Sequence, residues 1–342
     1  MSVDLGLSED QQAIQRAFRG FFDAECPTTV ARMSEPLGFD RELWTKLCAI
    51  DAPGMSVAAA VGGGGATLAH LVVVAEELGA HIAPVPLVDH LVSARLHPEP
   101  DIVSGSTIAT LALRPADTTG RWRLVPGGAV ADAVIGIDGD ELVAVRHPAP
   151  STAPRNHAAA PLADRSSREG NRVIIGSLDR YELARAEWKT LTAASLVGIA
   201  ASALVLGVDY AKNRVQFGVP IGSFQAVQHG FADLPALIDG ARLLTHKAAW
   251  AAQHDGLGGC DVDDNEINDF ATLASMAFVF AADAAARVTD RSLHYHGGYG
   301  FSAEYDIQLF YRRARGWALV YGDPTRECGR LADRMFNRLV AN

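Results

Sequence analysis

Apolar side chains recur at helical spacing near the start of the chain. Residues 8–25 carry them three and four positions apart, at Ala13, Ile14, Ala17, Phe18, Phe21 and Phe22. This spacing is typical of an amphipathic helix, and Ser8 followed by Gln11 forms a capping-box pattern at its start. The same periodicity predicts helices over 40–50 and over 66–78, the second ending at Gly79, with the glycine run 62–65 as the loop between them.

The pattern changes after residue 101 to short runs rich in β-branched residues. The stretches "STIATLALRP", "RWRLVPGG", "AVIGIDGDELVAVRH" and "NRVIIGSL" are separated by Gly, Pro and Asp, which predicts a small antiparallel sheet. Residues 148–170 are rich in Pro, Ala and Ser without periodicity, which favours a surface loop.

Helical periodicity returns after Leu183. It predicts helices over 183–214, 223–254, 264–296 and 324–340. Pro235 predicts a kink in the second of these, and Gly297–Gly298 predicts the end of the third. Long helices joined by short turns indicate an antiparallel four-helix bundle. The fold is therefore mainly α with a small β domain: a helical domain over 1–101, a β domain over 102–180 and a four-helix bundle over 181–342.

Composition narrows the class of partner. The 342 residues are 49% hydrophobic and 20% charged with a net charge of −10, which disfavours nucleic acid or an anionic membrane as a partner. The N-terminus lacks a basic segment followed by an apolar one, and the apolar run 192–208 is shorter than the roughly 20 residues of a membrane span. No metal-binding spacing connects the cysteines Cys26, Cys48, Cys260 and Cys328. These features predict a reduced, cytoplasmic protein without a membrane span.

One candidate binding segment is "YAKNRVQFGVPIGSFQAVQH", residues 210–229. Arg214 and Gln216 follow a long apolar helix, Phe217 offers a flat apolar face, and Gln225 begins the next helix. A guanidinium forms paired hydrogen bonds to phosphate and an amide adds neutral ones, so this junction suits an elongated anion. The alternative is that Arg214 is a solvated charge favoured at a helix C-terminus.

A second candidate segment is "HYHGGYGFSAEY", residues 294–305. Gly297 and Gly298 would allow a close backbone approach to a ligand, but they would equally serve as an ordinary helix C-cap. His294 and His296 diverge by roughly 200° on a helix, so they do not chelate one metal ion, and we expect no metal site. No nucleophile elbow, P-loop or dinucleotide fingerprint is present in the sequence.

Together these segments resemble the acyl-CoA dehydrogenase family, in the same order and over nearly the whole chain. "RVQFGVPIGSFQAVQH" and "HGGYGFSAEY" carry the resemblance, and "LSEDQQAIQRAFRGFF" and "VVVAEELGAHIAPVPLV" look like the family's N-terminal helices. The resemblance implies α,β-dehydrogenation of an acyl-CoA thioester, in which a carboxylate removes the α proton and the flavin of FAD accepts the β hydride. It also implies that Arg214, Gln216, Phe217, Gln225 and the segment 294–298 contact the FAD of a neighbouring subunit, with His294 in place of the usual Gln.

The resemblance fails where the family carries its catalytic base. Tyr321 stands in the usual Glu position, and Trp188, followed by Lys189, stands in the alternative Glu position. Tyrosine is a poor base, because a phenol with an ordinary pKa near 10 stays protonated at neutral pH. The family's flavin strand and Trp-containing strand are not recognisable in 102–180, where Trp122 is a poor substitute.

These losses resemble the small subunits of heteromeric α2β2 acyl-CoA dehydrogenases, which often act on steroid-derived CoA thioesters. The leading interpretation is a non-catalytic subunit that shares FAD with a larger homologous chain, which also binds most of the substrate. One alternative is a self-sufficient homo-oligomer with Asp323 or Glu187 as a displaced base, although Asp323 also fits an N-cap before Pro324. Another is a flavin-free scaffold or binding protein of the same fold.

Overall fold

The structure, a computed structural model, describes residues 5–254 and 269–341. Contacts divide the chain into two compact units. The first comprises the described residues of Met1–Thr28, Val72–Ala83 and Thr190–Asn342, and the second comprises Thr29–Leu71 and Pro84–Lys189. The division into segments 1–101, 102–180 and 181–342 stays a prediction about domains.

The first hundred residues are helical, as their periodicity predicts. The helices are α1 Glu9–Glu25, α2 Thr28–Met33, α3 Arg41–Ala49, α4 Leu68–Ala80, α5 Leu87–Leu96 and α6 Pro100–Val103. The capping box at the start of α1 is confirmed, because the Gln11 N–H donates to the Ser8 side chain while the Gln11 side chain accepts from the Ser8 N–H.

Strands follow, as β1 Ala109–Leu111, β2 Arg121–Val125, β3 Ala133–Asp138, β4 Glu141–Arg146, β5 Ala163–Ser166 and β6 Asn171–Gly176. Within the described residues β1, β3, β4 and β6 form one sheet in that order, while β2 pairs with β5. The pairs β3–β4, β4–β6 and β2–β5 are antiparallel, as predicted, but β1 is parallel to β3. The antiparallel prediction is wrong there because the chain leaves the sheet after β1 to form β2 and returns in the original direction.

The stretch expected to be a loop over 148–170 contains β5. A buried Arg165 explains why, since its guanidinium donates to the carbonyl oxygens of Gly128 at 2.7 Å, Ala131 at 2.6 Å and His147 at 2.6 Å. Trp122 on the paired strand is fully buried and donates from Nε1 to the Ile137 carbonyl at 2.9 Å. Trp122 therefore has a structural role in the core. The strand β5 is ordered by its pairing with β2, which is distant in sequence.

The remaining chain is again helical, apart from a short hairpin of β7 Val215–Gln216 and β8 Val219–Pro220. Its helices are α7 Leu178–Asn213, α8 Gln225–Ala232, α9 Leu234–His254, α10 Phe270–His296, α11 Ile307–Tyr321 and α12 Pro324–Ala341, with a 3-10 turn at Gly297–Phe301. The helix predicted over 223–254 is divided at Asp233, two residues before Pro235. The predicted start at 264 lies outside the described residues, as does Cys260, and α11 was not predicted.

The predicted end of a helix at Gly79 is wrong, because α4 continues to Ala80. A Cβ built on Gly79 would lie 1.9 Å from the Ser195 carbonyl oxygen, and one built on Gly198 would lie 2.0 Å from the Glu76 carbonyl oxygen. Glycine is thus required on both helices for their backbones to meet, and Gly79 contributes a packing contact instead of a cap.

Two described helices are long and apolar enough to span a membrane. The first, Leu178–Asn213, contains the run 192–208, and the second is Phe270–Phe301. About two thirds of the apolar window in each is buried within the protein (67% and 61%), as expected for core helices of a bundle.

Candidate functional site

A cavity of about 600 Å³ lies at the end of α7 and α10. It is lined by Tyr210, Arg214, Gln216, Ile221, Tyr295, His296, Gly297, Gly298, Tyr299 and Ser302. Two segments that are about eighty positions apart in sequence therefore meet at one site. Four of the predicted cofactor residues, namely Arg214, Gln216, Gly297 and Gly298, line it together.

Arg214 is held by the backbone around the helix end. Its N–H donates to the Tyr210 carbonyl at 2.8 Å, and its own carbonyl accepts from the Ile221 N–H at 2.8 Å. The guanidinium lies over the Tyr299 ring, 5.1 Å from the centroid. Among residues 5–254 and 269–341 no carboxylate forms an ion pair with Arg214, so its positive charge remains available to an anion.

Gln216 adds amide chemistry next to this charge. Its Nε2 donates to the Val215 carbonyl at 2.9 Å, which leaves the amide oxygen on the exposed side chain as an acceptor. The guanidinium and the amide therefore offer both donors and an acceptor to a polar ligand.

The two glycines that line the cavity, Gly297 and Gly298, differ in their backbone conformation. Gly297 has a φ of +60° and its N–H donates to the His294 carbonyl, so the C-cap interpretation is confirmed for it. Gly298 has no positive φ, and a Cβ built on it would meet no atom within 4 Å. The described chain therefore gives no packing reason for glycine at 298, whereas the close approach of a ligand or partner would.

The other three predicted cofactor residues do not line the cavity. Phe217 is 93% exposed at a φ of +55°, with its ring 6.2 Å from that of Phe224. Gln225 is exposed at the first turn of α8, and His294 is exposed on α10 with its ring 5.6 Å from that of Tyr295. These three side chains could bind the cofactor only through a contact with a ligand or a partner chain outside the cavity.

The aromatic floor of the cavity was predicted only in part, because His296 lies within the predicted segment 294–298 and Tyr210 was not predicted. Tyr210 and His296 stack with ring centroids 4.2 Å apart and an interplanar angle of 22°. Tyr210 stands four residues before Arg214. This spacing places both side chains on one helix face, and it could have indicated that Tyr210 lines the same site. The stacking of Tyr210 on His296 could not be predicted, because the two rings belong to helices that are distant in sequence. The described residues contain no group of three potential ligands that could hold a metal ion.

The two positions where the resemblance leads us to expect a catalytic base hold enclosed aromatic side chains. Tyr321 is 5% exposed, packs edge-on against Phe278 at 5.6 Å, and its hydroxyl accepts from Arg330 at 3.5 Å. Trp188 is 3% exposed and donates from Nε1 to Asp89 Oδ1 at 2.7 Å. Neither side chain presents a basic oxygen or nitrogen to solvent.

The two alternative candidates for the base, Asp323 and Glu187, each form a contact with a structural role. Asp323 is exposed before α12, where its Oδ1 accepts from the Thr325 N–H at 2.9 Å, and this bond lowers the pKa of the carboxyl. That contact confirms the predicted N-cap before Pro324. Glu187 is buried, which raises the pKa of its carboxyl, and it forms an ion pair with Arg95 at 3.0 Å.

Comparison with known proteins agrees with this fold. The family model for the acyl-CoA dehydrogenase C-terminal domain matches residues 186–336, and that for the acyl-CoA dehydrogenase N-terminal domain matches residues 8–96. The acyl-CoA dehydrogenase IpdE2 of Mycolicibacterium smegmatis is 30% identical over 344 residues, covering 96% of this chain and 100% of that protein.

Two solved structures are similar at 25% identity. A chain of the ChsE4–ChsE5 complex from Mycobacterium tuberculosis aligns with a TM-score of 0.84, covering 97% of this chain and 99% of that chain. A chain of a variant of the Tcur3481–Tcur3483 steroid ACAD aligns with a TM-score of 0.81, covering 98% of this chain and 100% of that chain.

Proposed function

Because the chain belongs to the acyl-CoA dehydrogenase family, we propose that it is the non-catalytic subunit of a heteromeric FAD-dependent acyl-CoA dehydrogenase. In this complex, an α2β2 assembly in the cytoplasm, a larger homologous chain carries the base and binds most of the acyl-CoA. This chain contributes Arg214 and its neighbours to the partner's FAD.

The observation that carries this proposal is a contrast between the two kinds of site. Both base positions are filled by buried aromatic side chains, Tyr321 and Trp188, which have no group able to take an α proton at neutral pH. The cavity at Arg214, in contrast, keeps a guanidinium that no described carboxylate neutralises. A chain that retains binding groups without a base is suited to complete a site on another chain.

The cavity's donor set fits FAD. Arg214 would pair with the diphosphate, Gln216 would add amide hydrogen bonds, and the backbone at Gly298 is open to close approach. When bound, FAD supplies the hydride acceptor for dehydrogenation of the acyl-CoA. The chain's own residues have the task of holding the cofactor's anionic part in place.

Exposed apolar side chains beside the cavity support the proposal that a partner chain binds there. Phe217 is 93% exposed and Phe301 is 76% exposed, and such aromatic surface is typical of protein interfaces. Phe217, Gln225 and His294 would then reach the cofactor or its subunit across the interface. The two similar structures are those of the ChsE4–ChsE5 complex and of a Tcur3481–Tcur3483 steroid ACAD variant, and their names support a heteromer and a steroid-derived acyl group for this chain.

Flavin stoichiometry tests the proposal. The chain is purified alone and after co-expression with its longer homologue, and FAD is counted per polypeptide from the visible absorption spectrum. We expect one FAD per two chains in the complex and almost none on the lone chain. Arg214→Ala should weaken FAD binding by the complex about 10- to 100-fold, the loss expected for hydrogen bonds to a charged group. Arg16→Ala, which removes an exposed arginine on α1, is the matched control and should leave binding unchanged.

Two results would contradict the proposal. Stoichiometric FAD and turnover on the lone chain would establish a self-sufficient homo-oligomer, and Asp323 and Glu187 would then be tested as its base. A complex that forms without binding FAD would indicate a flavin-free scaffold of the same fold.

A further inference from the structure

A second cavity, of about 660 Å³, lies where α9, α10, α11 and α12 adjoin, and we call it the bundle groove. Its lining is mostly apolar and includes Leu244, Met276, Val279 and Leu331. Phe280 and Leu319 also line it, and these large apolar side chains are 38% and 56% exposed. Contiguous apolar surface that is open to solvent marks a contact with another molecule.

The bundle groove is separate from the Arg214 cavity. Within the described part of the chain, no residue lines both. Along α10 the lining of the groove ends at Ala286, and that of the Arg214 cavity begins at Tyr295, which is about 14 Å further along the helix axis. The partner contact proposed at the Arg214 cavity therefore does not account for the apolar surface of the groove.

Charged side chains of both signs stand at the rim of the groove. Asp283 lines it and pairs with Arg287 at 2.8 Å, and Arg315 lines it and pairs with Asp290 at 3.3 Å. All four side chains are exposed, so another surface can reach their charges. A partner surface of a single sign would be repelled by two of them, whereas a surface that carries both signs would match them.

A second copy of this chain carries the matching charges. When two α10 helices pack antiparallel about a two-fold axis midway between Asp283 and Arg287, each carboxylate faces the guanidinium of the other copy. This axis crosses the helix within the groove segment 276–286, so the same operation brings the two apolar floors together. An apolar centre inside a charged rim is the usual anatomy of a protein interface.

We propose that the bundle groove is the contact between two copies of this chain. The inference deepens the proposed function, on which it rests for the larger homologous chain. Each copy holds one larger chain at its Arg214 cavity, and the groove joins the two pairs into the α2β2 assembly. Such an assembly is closed, because a two-fold contact uses the same surface on both copies and leaves neither surface free.

Sedimentation of the complex with the larger chain tests this contact. We expect four chains in the parent complex and two in the Phe280→Glu and Leu319→Glu complexes, because an unpaired carboxylate buried in an apolar contact weakens it about 100-fold or more. Leu183→Glu is the matched control, since this leucine at the start of α7 is 55% exposed and does not line the groove. It should leave four chains, and unchanged thermal midpoints would show that the variants fold.

Charge exchange identifies the molecule that occupies the groove. Asp283→Arg and Arg287→Asp should each weaken the association of the two pairs about tenfold, because like charges then face each other across the axis. The double variant restores opposite charges and should return to within about threefold of the parent. A double variant as weak as the single ones would show that the larger chain occupies the groove, and this would overturn the inference.

FAD affinity, from flavin fluorescence titration of the complex, separates this inference from the proposed function. The groove variants should bind FAD within about twofold of the parent, since the Arg214 cavity is unchanged in them. Four chains in the groove variants, or two in the parent, would refute the groove contact alone. A parent complex that binds no FAD would instead refute the proposed function.

Discussion

Asp89 contacts Trp188, which stands where the family resemblance leads us to expect an alternative base, and replacing Asp89 should raise the stability of the protein at neutral pH. Its Oδ1 accepts the indole N–H of Trp188 at 2.7 Å. Burial is the largest influence and raises the pKa of the Asp89 carboxyl from 3.8 to about 6, with the Trp188 bond opposing it. Asp89→Asn keeps an oxygen acceptor for Trp188 but cannot ionise.

The size of the effect follows from proton linkage. A rise in pKa from 3.8 to about 6 means that the folded state holds this proton more tightly, so the free energy of unfolding falls as pH rises through this window. At about 1.4 kcal/mol per pKa unit the full cost at neutral pH is about 3 kcal/mol, and roughly half of it accrues between pH 5 and pH 7.5. The neighbouring His90 has its pKa lowered to about 4 by burial, but this is common to both proteins and cancels in their difference.

Urea denaturation followed by circular dichroism at pH 5, 6 and 7.5 measures this difference. We expect the stability of Asp89→Asn relative to the parent to improve by about 1.5 kcal/mol from pH 5 to pH 7.5. Asp323→Asn is the matched control, because that carboxyl is exposed and its pKa is lowered, so it should show no such improvement. A constant difference between Asp89→Asn and the parent across the three pH values would refute the reasoning.

Four further outcomes are expected. Arg214→Lys in the complex should lose most of the FAD affinity lost by Arg214→Ala in the same fluorescence titration, since an ammonium does not form a paired bond to phosphate. Gly298→Ala should leave the thermal midpoint unchanged, because its Cβ meets no atom within 4 Å, yet weaken FAD binding about tenfold by blocking close approach. Tyr321→Phe and Asp323→Asn should each leave turnover of the complex within about twofold of the parent, and a large loss in either would identify a base on this chain. Arg165→Lys should lower the free energy of unfolding in urea by about 2–3 kcal/mol, because an ammonium cannot reach all three carbonyls that the buried guanidinium satisfies.

Local physics was sufficient for much of the fold. The Ser8 capping box and the N-cap at Asp323 depend on residues within one or two helical turns, and both are found as predicted. The long bundle helices are found in large part, although the helix predicted over 223–254 is divided at Asp233 and α11 was not predicted. The fold class is confirmed as well, since apolar periodicity, turn residues and the family resemblance indicate the same architecture.

The candidate site was predictable only in part. The resemblance implies one shared ligand for four residues that line the cavity, namely Arg214, Gln216, Gly297 and Gly298. The sequence did not indicate which of His294 and His296 lines the cavity. Which of the two is buried depends on the helix that packs against α10.

The sequence by itself determined where helices and strands are favoured. It also places aromatic residues where the family resemblance leads us to expect a base, and an arginine at the end of a long helix. Only the tertiary structure decided that β1 is parallel to β3, that Arg165 orders a strand in a stretch without periodicity, and that His296 and Arg214 line one cavity. The physical reason is the range of the interactions. Helix periodicity and caps depend on neighbours a few residues apart, whereas strand pairing, buried polar satisfaction and ring stacking depend on partners that only the folded chain brings into contact.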